Sequence, residues 1–233
     1  MPMSLPHLSN LAVHVGAGTA AIGLGLALLA AAKGTPSHRR RGRVFVLLTL
    51  VVCATAVVGN LFFRFIPLFA VLTLLVTYQL LSGWHVLRTR AAGPNRIDAL
   101  LSAGALAWAL GLLPLLPGGS GEAGAAPAVV YASLATLGAL LAYDAARWCF
   151  PRRWHASLWR FEHIYRMVAS LFAMLSAAAG NLLTAGQPWS QLLPSALGMA
   201  AIALFFRREA RAQRAALRLR AGTPPASSAR ACP

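Results

Sequence analysis

The chain has 233 residues, 58% of them hydrophobic and 11% charged, with a formal charge of +16 from 21 Lys and Arg against 5 Asp and Glu. A mean hydropathy of +0.64 excludes an ordinary water-soluble domain, so length converts into membrane-crossing helices of about 20 residues each. The basic excess does not point to nucleic acid, because the arginines lie in the gaps between apolar runs and not on a folded polar face.

Taken in chain order, apolar runs cut at charges and turn residues predict spans near 11–32, 44–63, 65–87, 97–117, 128–148, 163–185 and 191–206. The first run ends in Ala30-Ala31-Ala32, which resembles a signal cleavage site. Its basic cluster follows the run instead of preceding it, so a retained first helix with its N-terminus outside is expected. Lys33, Arg39, Arg40, Arg41 and Arg43 follow span one, and Arg88, Arg90 and Arg96 follow span three. Arg147, Arg152, Arg153, Arg160 and Arg166 flank the junction after span five, and the rest occupy the tail from Arg207 to Arg230. With seven spans, every basic residue except Arg64 falls on one face, read as cytoplasmic. The opposite loops, 117–127 and 186–189, are short and nearly uncharged.

The expected fold is therefore all-α: a polytopic bundle of about seven transmembrane helices in a bacterial inner membrane, with a cytoplasmic C-terminus. Residues 1–206 form the transmembrane domain and 207–233 a basic tail, helical at its start and then disordered. Arg207, Arg211, Arg214 and Arg218 continue span seven as one stripe. Together with Arg39, Arg40 and Arg41 they are expected to face anionic lipid headgroups. Cys53, Cys149 and Cys232 are too few and too scattered for a disulfide framework or metal knuckle.

The segment His14-Val15-Gly16-Ala17-Gly18, then Lys33-Gly34, then His38-Arg39-Arg40-Arg41-Gly42-Arg43-Val44-Phe45, and later Ser82-Gly83-Trp84, resembles the bacterial membrane proteins of domain-of-unknown-function family 2306. The resemblance is best over the first three spans. It implies a membrane protein and no particular chemistry.

Ionisable groups inside a membrane mark functional sites by default. His14 lies about one turn inside span one, among small residues, where it either hydrogen-bonds across a helix contact or serves as a proton acceptor or cofactor ligand. His38, His85 and His163 fall at cytoplasmic helix ends with Asp98, Asp144 and Glu162. Their types would suit a metal, but no ligand spacing motif is present. Asp144 with Arg147, and Glu162 with Arg166, instead have the spacing of salt bridges along one helix. Span six carries a face of His163, Met167, Ser170, Met174, Ala177 and Asn181; span two offers Thr49, Cys53, Ala56 and Asn60. Such stripes suit close packing, a solute or proton path, or, less favourably, haem ligation.

No catalytic motif for hydrolysis or nucleotide binding is present, and the reading leans away from an enzyme. Three functions stay open: small-solute or proton transport, a haem- or metal-binding redox protein, and a non-catalytic assembly or sensing protein. The expected contacts are membrane lipids and a membrane partner or second copy, with no nucleic acid.

Overall fold

The computed structural model describes residues 4–115 and 127–222, and within them every regular element is helical. The helices are α1 (Leu5–Ala30), α2 (Pro36–Val58), α3 (Pro67–Thr89), α4 (Arg96–Leu112), α5 (Pro127–Ala146), α6 (Arg152–Leu182) and α7 (Trp189–Gly222). Proline sets several starts: Pro36, Pro67 and Pro127 each open a helix, and Pro151 precedes α6. Its missing N–H costs nothing in a first turn, and its fixed φ is already helical.

Six of the seven helices are long and apolar enough to cross a membrane; α6 is the exception. Its first half holds Arg152, Arg153, Arg160, Glu162 and Arg166, and its second half is diluted by Ser170, Ser176, Gly180 and Asn181. Arg152, Arg153 and Arg160 are exposed near its start, whereas Glu162, Arg166, Ser170, Ser176 and Gly180 are buried against its neighbours. The helix also begins 11 residues before the predicted span, so the stretch from Arg152 to Phe161, expected as a surface junction, is the first part of one continuous helix. Likewise α7 runs unbroken from the apolar part into the basic stripe as far as Gly222. The expected disordered segment beyond it lies outside the described residues.

The centre of the bundle is the pair α3 and α6. The α1–α2 hairpin packs on one side of that pair, α4 and α5 on the side of α3, and α7 along α6. One apolar cluster joins α1, α2, α3, α6 and α7 through Ala21, Phe45, Cys53, Leu80, Leu171 and Ile202; a second joins α3, α4 and α5 through Val71, Leu74, Ala105, Leu137 and Leu140. Large apolar side chains such as Leu47, Leu100, Leu110, Leu193 and Leu197 remain exposed on the outside. In water such a surface would associate; it matches a hydrocarbon solvent instead. A helical bundle with this exterior is consistent with an integral, multi-pass membrane protein.

Glycine brings α6 close to three partners. A Cβ on Gly25 of α1 would fall 2.5 Å from Leu171, one on Gly198 of α7 2.7 Å from Phe172, and one on Gly83 of α3 2.7 Å from the Arg166 Cβ. Small residues at crossings are how membrane helices gain packing energy when lipid is as apolar as their side chains.

The basic segments gather at one end of the bundle. Arg160 of α6 pairs with Glu209 of α7 at 3.0 Å, and Arg90, just after α3, lies over the Trp159 ring of α6. Lys33 donates to the Leu28 and Leu29 carbonyls that α1 leaves open. Partial burial, and then the nearby Arg208, push the Lys33 ammonium below its usual range.

Candidate functional site

At that same end, between α3, α4, α5 and α6, lies a buried network of ionisable side chains. Asp98, Asp144, Arg147, Glu162 and Arg166 are each 6% exposed or less. The chain has only 5 acidic residues, and three of them meet here.

Arg166 occupies the middle. It projects from α6 at the level where Gly83 removes a side chain from α3, which lets the guanidinium reach Ser82 of α3 and Asp144 of α5. The Tyr78 hydroxyl donates to the other Asp144 oxygen, so its one proton is committed and it accepts from Ser102 of α4 at 2.9 Å. Asp144 of α5 is thereby held from α3 and α6 at once.

Arg147 extends the network sideways. It lies 3.2 Å from Asp144, 3.7 Å from Asp98 and 2.9 Å from Glu162. Glu162 also accepts from the Tyr143 hydroxyl at 2.8 Å. Asp98 has a second duty, since it forms a capping box with Asn95 that closes the N-terminus of α4. His85 Nε2 sits 3.5 Å from Asp98 and 3.1 Å from Asn95 Oδ1.

The expected pair between Asp144 and Arg147 is thus present, whereas the expected Glu162–Arg166 pair along α6 is replaced by contacts across helices. Glu162 turns to Arg147, and Arg166 turns to Asp144. The physical reason is burial: at 1–6% exposure neither ion can borrow water, so each takes the partner that also satisfies its remaining hydrogen-bonding positions.

The other histidines are placed as follows. His163 donates from Nδ1 to the Gly83 carbonyl at 3.0 Å, which pins α6 to α3. His38 is half-buried in the first turn of α2, while His85 belongs to the Asp98 group. Among the described residues, no three His, Cys, Asp or Glu side chains converge as a metal-ligand set. His14 Nδ1 lies 2.9 Å from the Thr55 hydroxyl. That hydroxyl already donates to the Val51 carbonyl, so His14 is the donor and ties α1 to α2.

The polar members of the two stripes bond locally. Thr49 of α2, Asn60 in the π-helical turn (Gly59–Phe63) that continues it, and Asn181 of α6 each bond to a carbonyl four residues earlier, and Asn60 also receives the Ile66 N–H. Met174 is buried in the apolar cluster, and Met167 packs against Gly83. The seven arginines expected at headgroups, Arg39, Arg40, Arg41, Arg207, Arg211, Arg214 and Arg218, are all exposed.

Tyr78, Ser102 and Tyr143 are each unremarkable alone in the sequence, and Ser82 stands out only within Ser82-Gly83-Trp84. The available signal was Tyr78-Gln79 in the middle of an apolar span and Arg166 just inside another. No protein-family model, curated protein or solved structure matches this chain.

Proposed function

We propose that the chain is a proton-handling transport protein of a bacterial cytoplasmic membrane, with its basic end and C-terminal tail inside, and that the buried network is its proton-binding centre. The observation carrying this reading is a charge count. Three carboxylates, Asp98, Asp144 and Glu162, face two guanidiniums, Arg147 and Arg166, in one buried group.

A buried group does not sustain an uncompensated charge, so the network as a whole takes up one proton. A centre that needs one labile proton, and that four helices assemble, changes its bonding when the proton leaves. Loss of that proton puts like charges side by side around Arg147 and favours a rearrangement of α4 and α5 against α3 and α6. Such coupling between a proton and helix packing is what moving a solute against its gradient requires. The exposed basic stripe supports the orientation, because it would lie on anionic headgroups.

The test is reconstitution of the full chain into liposomes under an imposed pH gradient, with a panel of solutes inside. Proton movement above that of empty vesicles, lost in Asp144→Asn, is expected. Movement equal to empty vesicles for every solute would overturn the reading.

A further inference from the structure

A second feature lies on the faces of α3 and α6 adjoining the network. A groove of about 210 Å³ is walled by α3, α5, α6 and α7. Its volume exceeds the roughly 150 Å³ of an apolar cavity that accepts a benzene ring. The mouth lies between α5 and α7, because Ala132 and Met199 both line the groove and both are exposed on the outer, lipid-facing surface. Along most of the wall the side chains are apolar.

Beside the Tyr165 hydroxyl, the polar groups in the wall fall into two sets. Ser133 and Thr136 donate to carbonyls of their own helix, and Ser176 and Ser195 bond to one another at 2.9 Å. Gln79 and Gln191 differ. Gln79 is 1% and Gln191 7% exposed, and the Oε1 of each has no hydrogen-bond partner among the described residues. Gln191 is held in place, since its amide lies directly on Gly180, where any larger residue would collide with it.

A buried carbonyl oxygen without a donor is costly, and two in one groove require an explanation. Lipid acyl chains could fill the space, but they carry no donor and would leave both oxygens unpaired. We propose that this groove is a binding site for a small apolar molecule, about one ring in size, that carries a hydroxyl donor and enters from the lipid phase. The hydroxyl donates to Gln79 or Gln191, and the apolar body lies against the remaining wall. The recognition is that of most small-molecule sites: an apolar cleft with a few placed polar atoms.

The inference stands on the groove and goes beyond the proton reading. The test uses the full chain in phosphatidylcholine nanodiscs with a diazirine-bearing alkylphenol and, in parallel, its O-methyl ether. The phenol is expected to label peptides of α5 and α7 at the groove, and to be displaced by unlabelled phenol with an apparent affinity about tenfold better than the ether's. Gln79→Leu or Gln191→Leu should bring the phenol to the ether's level while leaving the ether unchanged, which shows that the groove is still folded. Equal labelling by phenol and ether, labelling elsewhere, or no effect of either glutamine would overturn the proposal. No pH gradient is used, and Asp144→Asn should still take the label, so the groove and the proton centre can fail separately.

Discussion

The α1–α2 hairpin and the α3–α6 pair are both close helix contacts in one bundle, yet they use polar residues in opposite ways. In the hairpin, Thr49, Thr55 and Asn60 return their hydrogen bonds to their own helix, and the bonds that cross are donated from α1, by His14 and Asn10, to Thr55 of α2. Between α3 and α6, Ser82, Gly83, His163 and Arg166 bond across the interface and draw in α4 and α5. Neutral local bonds leave each helix self-sufficient in lipid. Ionised groups bonded across helices make the members depend on one another, so that a change in one proton is felt by several helices.

The largest effect should come from breaking the second region at its centre. Asp144→Leu leaves Arg166 and Arg147 buried without their shared carboxylate and should cost about 3–5 kcal/mol, measured as a large fall in the thermal midpoint in detergent. Asp144→Asn keeps the shape and one hydrogen-bond acceptor; it should fold, but without proton movement in liposomes. A smaller loss is expected from Gly83→Leu, which drives a side chain into Arg166. Overpacking of this kind costs about 1–3 kcal/mol, and proton movement should fall with it because the guanidinium is displaced from Asp144.

Gly198→Leu at the α6–α7 contact should show a similar stability loss of about 1–3 kcal/mol, with proton movement in the surviving folded fraction unchanged. That contrast separates packing from chemistry. In the hairpin, His14→Phe removes one interhelical hydrogen bond and should cost about 1 kcal/mol, again with no change in proton movement. If His14→Phe silenced proton movement and Asp144→Asn did not, the roles of the two regions would be reversed. Smallest of all, Arg211→Gln and Arg214→Gln should leave folding intact and weaken binding to anionic over neutral vesicles by about 1 kcal/mol per arginine, read by vesicle co-sedimentation of the isolated 207–233 peptide.

The bundle itself was legible because membrane physics writes strongly on composition. Apolar runs of span length fixed six helices, and basic residues between them marked the end of the bundle where Lys33, Arg90, Arg160 and Arg208 gather. Helix α6 was found as a span but with its start misplaced, since the charges of Arg152, Arg153 and Arg160 look like a loop; those three are exposed on the helix, while Glu162 and Arg166 are buried against its neighbours. The centre was half legible. Asp144 with Arg147 followed from spacing along one helix, but the partners of Glu162 and Arg166 depend on which helices meet and at what height, and the pattern of a single sequence carries no such register. Gln79 and Gln191 stand 112 positions apart and become a pair only when α7 folds back along α6.

The central claim is that the group formed by Asp98, Asp144, Arg147, Glu162, Arg166 and His85 binds one exchangeable proton. Infrared difference spectra of the full chain in lipid, recorded as pH is stepped from about 4 to about 9, test it most directly. The account predicts one carboxyl or imidazole protonation change that is lost or displaced in Asp144→Asn and in His85→Gln but kept in His14→Phe. Spectra in which no such change responds to the network variants would contradict it.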